Sequence, residues 1–194
     1  MIALKDAEKL IKLARDAISS VFEAKQVEAE KYLMEKFSKP QGVFVTLTID
    51  KQLRGCIGFA EPVFPLYDAI VRVARSAAFE DPRFPRLQKQ EFKNIEVEIS
   101  VLTVPELIKG EKPEDYLKKI KIGKDGLIIR SSFGSGLLLP QVFTRYDCNP
   151  KQALEMTCHK AGLSDDAWKD LHNKIYKFQA QIFKEEDGKV VEES

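Results

Sequence analysis

The alternation of apolar and polar residues between positions 94 and 102 is the feature that most restricts the fold of this chain. Glu98 and Ser100 occupy polar positions, together with Glu96. The intervening apolar residues are Ile95, Val97, Ile99 and Val101. A period of two is the spacing of side chains along one face of a β-strand. We therefore predict a strand with one face in a hydrophobic core and the other face polar.

Two helices are predicted near the start of the chain. Apolar residues recur every three or four positions over residues 5–22, which is the spacing of one face of a helix. A second helical segment, at about 26–37, ends before Pro40, because a residue that precedes proline disfavours the helical conformation. Residues up to about 40 are thus interpreted as a helical segment that covers a sheet.

A hairpin and a third helix are predicted next. β-branched and aromatic residues fill positions 43–49, and the turn Asp50-Lys51-Gln52 leads into a second strand at 53–59. Pro65 suits the first turn of a helix, and the apolar spacing that follows predicts this helix to about Ala78.

The second half of the chain continues this mixture of strands and helices. Residues 105–116 are predicted to form an exposed excursion, and residues 185–194 a frayed, charged tail. The other predicted elements are strands at 117–122, 126–130, 137–142 (buried on both faces) and 174–183, a helix from Asn149-Pro150 to Gly162, and a short helix at 165–170. We predict one α+β domain over residues 1–194, with an antiparallel or mixed sheet and packed helices.

Composition narrows the functional classes. The 194 residues carry 31 Lys and Arg against 30 Asp and Glu, a net charge of +1. Non-specific binding to nucleic acid or to a membrane surface normally needs a basic excess. No apolar run reaches the length of a membrane span. The three cysteines are widely spaced and imply no disulfide framework, so a reducing cytoplasm is the expected location.

The segment Leu53-Arg54-Gly55-Cys56-Ile57-Gly58 is the strongest candidate for chemistry. In a strand, Arg54 and Cys56 lie on one face, about 6.5–7 Å apart at their Cα atoms. A nearby guanidinium would lower the thiol pKa below about 8.5 and make Cys56 a nucleophile, a redox thiol or part of an anion site. In the alternative interpretation Cys56 is a small core residue, and Gly55 and Gly58 permit close packing.

The polar face of the 94–102 strand offers a possible partner for this motif. If that face borders the Cys56 strand, Glu98 pairs with Arg54 or serves as an acid or base, with Ser100 beside it. The alternative is an ordinary solvated sheet face.

Three further polar residues are candidates outside these strands. Asp81 and Arg83 lie in an irregular loop, and loops on a rigid scaffold often carry function. Asp81 is also well suited to cap a helix end. Gln141, after Pro140, either reaches into a site or satisfies backbone groups.

A metal site at Cys148, Cys158 and His159 is rejected from the sequence. On a helix Cys158 shares a face with apolar residues, while His159 points about 100° away from it. No third convergent ligand is evident. We therefore predict no metal and no cofactor.

Nucleic-acid and phosphate binding are also disfavoured. Arg72 and Arg75 form a short basic stripe on a predicted helix, for which a solvated face is the ordinary interpretation. The Ser/Gly-rich loop at 131–136 lacks the pattern of a P-loop and is better interpreted as a hairpin turn.

Four motifs in fixed order resemble the AMMECR-domain family. They are Leu53–Gly58, Asp81–Pro85, Glu98–Leu102 and Gly136–Val142, within a resemblance that extends over about residues 5–183. The resemblance implies an α+β fold with two linked lobes, in a stand-alone archaeal or bacterial member. It implies no defined reaction, but it suggests partners among Memo-type or radical-SAM proteins in a modification pathway.

The leading functional hypothesis is a cytoplasmic domain that binds a small or anionic ligand around the Cys56 strand and takes part in an enzymatic modification. Cys56 is the candidate nucleophile or redox thiol and Glu98 the candidate acid or base. The candidate ligand-binding residues are Arg54, Gly55, Gly58, Asp81, Arg83, Ser100 and Gln141. A non-catalytic protein-interaction module is the alternative, and nucleic-acid binding is the third hypothesis.

Overall fold

The computed structural model of the chain describes residues 1–193. The α-helices are α1 (Leu4–Phe22), α2 (Lys31–Lys36), α3 (Leu66–Phe79), α4 (Glu114–Lys119), α5 (Pro140–Arg145) and α6 (Pro150–Lys160). The strands are β1 (Val43–Ile49), β2 (Gln52–Phe59), β3 (Glu96–Leu102), β4 (Glu106–Leu107), β5 (Gly126–Arg130), β6 (Ser135–Leu138), β7 (Lys174–Phe178), β8 (Ala180–Glu186) and β9 (Lys189–Glu193). Short 3₁₀ helices lie at Phe92–Asn94 and Ala167–Lys169.

The chain divides into two compact units. The first contains Met1–Leu102 and the residues from Gln181 onward, and the second is Thr103–Ala180. Each unit has its own antiparallel sheet, helices and hydrophobic core. The predicted α+β class is confirmed, and the two units agree with the two linked lobes that the family resemblance implied.

The first unit is built on a five-stranded sheet in the order β2-β1-β3-β8-β9. β1 pairs antiparallel with both β2 and β3. One face of these strands is buried with α1 and α3, and Val45, Leu47, Val97 and Ile99 are at most 1% exposed there. The predicted β1–β2 hairpin is confirmed, and its turn residues Asp50 and Lys51 have positive φ angles.

The N-terminal helices differ in length from the prediction. α1 begins and ends within one residue of its predicted bounds, but α2 is confined to Lys31–Lys36.

A polar contact holds the two helices together. The buried carboxylate of Asp6 accepts hydrogen bonds from the Tyr32 hydroxyl and from Lys36 Nζ, both at 2.8 Å. The hydrogen bond from Lys36, as the largest cause, and then the hydrogen bond from Tyr32 lower the pKa of the Asp6 carboxyl.

The C-terminal tail does not fray over the described residues. β8 and β9 form a hairpin in which Glu186 pairs with Lys189. Asp187 and Gly188 make the turn with φ values of 50° and 75°, as an Asp-Gly hairpin turn requires. Glu185 also forms a two-point ion pair with Arg15 of α1. The frayed-tail prediction overlooked this turn signal; Ser194 lies outside the described residues.

The second unit has a four-stranded antiparallel sheet in the order β4-β7-β5-β6. Its core gathers residues from the sheet, from α4 to α6 and from the second 3₁₀ helix. Fully or almost fully buried members are Leu127, Ile129, Phe143, Leu154, Cys158 and Trp168.

Three strand predictions in the second unit need correction. Residues 117–122 contain the end of helix α4 and no strand. The apolar run at 137–142 leaves the sheet after Leu138 and continues as α5, because Pro140 lacks the N–H that a ladder needs and suits a first helical position. The predicted strand at 174–183 is interrupted at Gln179 and becomes β7 and β8.

Candidate functional site

Three polar side chains form a row across the middle of the first unit's sheet. The register pairs Thr46 of β1 with Cys56 of β2 on one side and with Glu98 of β3 on the other. Side chains in register on neighbouring strands lie on the same face. All three are half-buried, and the Thr46 hydroxyl donates a hydrogen bond to Cys56 Sγ at 3.2 Å. A thiol, a hydroxyl and a carboxylate are thus presented side by side.

The backbone of Cys56 is held by the loop that follows α3. Asp81 Oδ2 accepts a hydrogen bond from the Cys56 N–H at 2.8 Å, and the Arg83 guanidinium donates to the Cys56 carbonyl at 3.0 Å. Arg83 also donates to both oxygens of Asp81, at 2.9 and 2.6 Å. Because β2 is an edge strand, its outward N–H and C=O groups need such partners. Asp81 and Arg83 therefore act as a clamp that fixes Cys56.

The clamp is a permanent ion pair. Asp81 is only 4% exposed, yet Arg83 and the Cys56 N–H hold the pKa of its carboxyl far below the usual range. The carboxylate is therefore charged at any physiological pH. The sequence left open whether Asp81 binds a ligand or caps a helix; its contacts in the structure are to Cys56 and Arg83.

The surroundings of the Cys56 thiol disfavour its charged form. Burial, as the largest cause, raises its pKa, and the carboxylates of Glu98 and Asp81 add to this effect. The Thr46 hydrogen bond and the charge of Arg83 act in the opposite direction but do not outweigh it. Of the two interpretations that the sequence left open for Cys56, the activated thiol needs a lowered pKa; the raised pKa agrees instead with the packing interpretation, because the thiol is withdrawn from water.

Arg54 does not pair with Glu98, contrary to the sequence-based hypothesis. The β1–β2 register shifts between Leu47 and Thr48, so that Arg54 has no opposite residue on β1. Such a bulge re-aims a side chain. The guanidinium instead makes a two-point ion pair with Glu91, with bonds of 2.9 and 3.1 Å. Glu91 lies in the irregular stretch before β3, and no local sequence pattern marks it as a partner.

The two glycines of the motif allow close packing. A Cβ atom at Gly55 would collide with the carbonyl oxygen of Ala77, so α3 approaches β2 there. A Cβ at Gly58 would collide with the ring of Phe44, which lies against the strand. These contacts agree with the interpretation in which Gly55 and Gly58 permit close packing around Cys56.

Ser100 and Gln141 lie in different surroundings. Ser100 is fully buried on β3, where its hydroxyl donates to Glu98 at 3.4 Å. Gln141 belongs to the second unit, as the second residue of α5. Its Oε1 is buried and has no hydrogen-bond partner among residues 1–193.

The arginine stripe on α3 is occupied by contacts within the first unit. Arg72 forms an ion pair with Asp68 at 2.9 Å and stacks over the Phe64 ring. Arg75 donates to the Ala17 carbonyl and to the Ser20 hydroxyl of α1. Guanidinium groups engaged in this way are poorly placed to bind phosphates, which weakens the nucleic-acid hypothesis.

The other two cysteines lie in the second unit. Cys158 is fully buried, and burial raises its pKa to about 11. Cys148 is 9% exposed, and all three thiols are free. Within the described residues, no three or more His, Cys, Asp and Glu side chains are grouped so that they could hold a metal ion. In the same part of the chain, no helix is both long and apolar enough to cross a membrane.

Comparison with known proteins places the chain in a family. The AMMECR1 family model matches residues 11–183. A protein of Methanocaldococcus jannaschii is 45% identical over 99% of this chain and 97% of its own length. A protein of Aquifex aeolicus is 45% identical over 94% of each chain. The crystal structure of an uncharacterised protein from Pyrococcus horikoshii superposes with a TM-score of 0.92 at 43% identity, covering 99% of this chain and 98% of that one. The chain belongs to the AMMECR1 family.

Proposed function

We propose that the polar face of β2, β1 and β3 binds a small ligand and that the protein takes part in an enzymatic modification of that ligand. The observation that carries the proposal is the row of Cys56, Thr46 and Glu98, in register on three neighbouring strands. A thiol, a hydroxyl and a carboxylate can together donate to, accept from and react with one bound molecule. We keep a cytoplasmic location as part of the proposal, because the three thiols are unpaired.

Cys56 acts in this proposal as a thiol that becomes nucleophilic only when the ligand is bound. Its raised pKa makes a standing thiolate unfavourable at neutral pH. Sγ would add to a carbonyl carbon of the ligand, so that the S–C bond forms as the C=O π bond opens and its electron pair moves to the carbonyl oxygen, while the thiol proton passes to the Glu98 carboxylate. Arg83, rather than Arg54, is the guanidinium beside Cys56, and because it is held by Asp81 and by the Cys56 carbonyl, its role in this proposal is to fix the position of Cys56.

A thermal-unfolding screen tests the binding step. The probes are small carboxylic acids, phosphate esters and amides, each added separately to the full chain. A ligand at about 100 times its Kd stabilises by about 2.7 kcal/mol, which for a chain of this size raises Tm by about 5 °C or more. We expect Thr46→Val and Glu98→Gln to remove the shift produced by any true ligand.

Glu96→Gln is the matched control, because Glu96 lies on the same face of the same strand and pairs with Thr48. A shift that survives in Glu98→Gln, or that is lost equally in Glu96→Gln, would place the ligand elsewhere and reject the site. If Cys56→Ser leaves both the affinity and any conversion of the ligand unchanged, the nucleophile role is rejected while binding stands.

A non-catalytic interaction module is the second candidate, and the raised pKa of Cys56 favours it. A surface that only recognises a partner needs no reactive thiol. The partner would be a Memo-type or radical-SAM protein. Binding of a purified protein of either type by the wild type, lost in Thr46→Val but kept in Cys56→Ser, together with no hit in the ligand screen, would favour this candidate.

A further inference from the structure

The second unit contains a cleft of about 630 Å³ between α6, α5 and the end of β6. Met156 and His159 reach it from α6, and Cys148 reaches it from the segment that joins the two helices. Leu138 and Val142 form an apolar part of its wall. The proposed ligand-binding face belongs entirely to the first unit, so this cleft is a separate feature with its own chemistry.

Two sulfur atoms meet in this cleft. Cys148 Sγ lies 3.3 Å from Met156 Sδ. The position of Cys148 is well fixed, because its N–H donates to the Phe143 carbonyl at 2.9 Å. The next residue, Asn149, caps α6 through a reciprocal pair of hydrogen bonds with Gln152. A thiol just before α6 and a thioether on α6 are therefore in contact at the cleft.

An imidazole lines the same cleft. His159 lies three residues after Met156 on α6, and residues with this spacing are neighbours on one helix face. The sequence analysis rejected a metal site at Cys148, Cys158 and His159, because Cys158 shares a face with apolar residues and no third convergent ligand was evident. In the structure Cys148 and His159 line the cleft without Cys158, and the sulfur of Met156, a residue outside that set, lies there with them.

We propose that this cleft binds Cu(I) through the Cys148 thiolate, the Met156 thioether and the His159 imidazole. Thiolate and thioether ligands select soft ions such as Cu(I), whereas Mg²⁺ and Ca²⁺ prefer oxygen. Structural and catalytic zinc sites use at least three Cys, His or carboxylate ligands, and residues 1–193 hold no such group. Of these ions, a soft ion such as Cu(I) is the one that would accept the Met156 thioether as its third ligand.

The surroundings of the two sulfur atoms suit this ion. Binding releases the Cys148 proton to solvent, since a thiol must be deprotonated to ligate a metal. The Met156 side chain is unbranched and flexible, so its sulfur can move from its contact with Cys148 to admit an ion between them.

Competition with the Cu(I) chelator bicinchoninate, without oxygen, tests the proposal on the full chain. We expect the wild type to withdraw a single Cu(I) ion per chain from the chelator. Loss of an outer-shell partner typically weakens metal binding about 10- to 100-fold, so loss of a ligand in Met156→Leu or His159→Ala should weaken it by about tenfold or more. Cys148→Ala should abolish it. Met156→Leu preserves the side-chain volume, so it decides the matter even if Cys148→Ala does not fold.

Cys158→Ala is the matched control, because it removes a thiol from α6 that does not line the cleft. We expect its affinity for Cu(I) to be unchanged. X-ray absorption at the copper edge should detect both sulfur and nitrogen neighbours in the wild type and fewer sulfur neighbours in Met156→Leu. Absence of Cu(I) binding, wild-type affinity in Met156→Leu or Cys148→Ala, or an equal loss in Cys158→Ala would overturn the assignment.

Discussion

Cys56 and Cys158 are both withdrawn from water, but the groups around them differ. Cys158 lies in the core of the second unit, fully buried among apolar residues such as Ala153 and Leu154, with the backbone N–H of Trp168 as a donor to its sulfur. Cys56 is half-buried on a sheet, with a hydroxyl donating to its sulfur and a charged clamp on its backbone. Burial raises the pKa of both thiols. The direction of the pKa shift therefore does not separate a packing cysteine from a candidate site, whereas the polar and charged side chains around Cys56 do.

The two units also differ in the polar contacts that hold the backbone of each cysteine. Around Cys56, the buried Asp81 carboxylate is used to hold one strand edge in place. Cys158 receives no such support, because a helix satisfies its own backbone. Burial of a charged carboxylate is unfavourable by itself, so the clamp is useful where the position of one residue, here Cys56, matters.

The largest expected effect is that of Asp81→Ala. The substitution removes the acceptor for the Cys56 N–H and for Arg83, and hydrogen bonds to charged groups contribute about 1.5–3 kcal/mol. We expect the free energy of unfolding to fall by about 2–3 kcal/mol. Urea denaturation measures the change.

Asp68→Ala is the control for this prediction, because it also removes a carboxylate from an arginine. The Asp68–Arg72 pair is an exposed pair one helical turn apart, and such pairs contribute about 0.3–0.5 kcal/mol. Equal losses in the two variants would mean that the clamp around Cys56 is an ordinary surface ion pair.

Replacement of each thiol by a hydroxyl sharpens the comparison further. In Cys158→Ser the hydroxyl enters a largely apolar core in which the Trp168 N–H can donate to it, and burying a hydroxyl there costs about 1–3 kcal/mol in protein mutational data. In Cys56→Ser the new hydroxyl can bond to Thr46, so we expect a loss below about 1 kcal/mol. The measurement is urea denaturation of both variants under identical conditions. A larger loss in Cys56→Ser would show that Cys56 is the more tightly packed of the two.

The first unit could be predicted from sequence better than the second. Its hairpin and the alternating strand at 94–102 follow local patterns, and turn residues and period-two spacing are local properties. In the second unit, the run of apolar residues after Gly136 was compatible with a strand or a helix. Pro140 decides between them, because it lacks the N–H that a strand ladder needs and suits a first helical position.

The site itself could be predicted only in part. Cys56 and Glu98 were recognised, and the alternation around Glu98 placed it on a polar face. Thr46 could have been found from the register of the predicted hairpin. The Arg54–Glu91 pair could not, because a bulge in β2 and an irregular loop set it, and neither leaves a local pattern. Long-range contacts of this kind depend on how the strands and loops assemble.

The smallest expected effect is a shift in the pH dependence of Cys56 alkylation by iodoacetamide. In a Cys148→Ala/Cys158→Ala background we expect a midpoint above about 8.5, the ordinary thiol value, because burial disfavours the thiolate. Arg83→Gln should raise the midpoint further, since it removes a positive charge that lowers the pKa of Cys56. Arg54→Gln should leave it unchanged, since this guanidinium is paired with Glu91. A midpoint below about 8.5 that rises in Arg54→Gln would instead make Cys56 a standing thiolate activated by Arg54, and the contrast with Cys158 would then be one of reactivity as well as of surroundings.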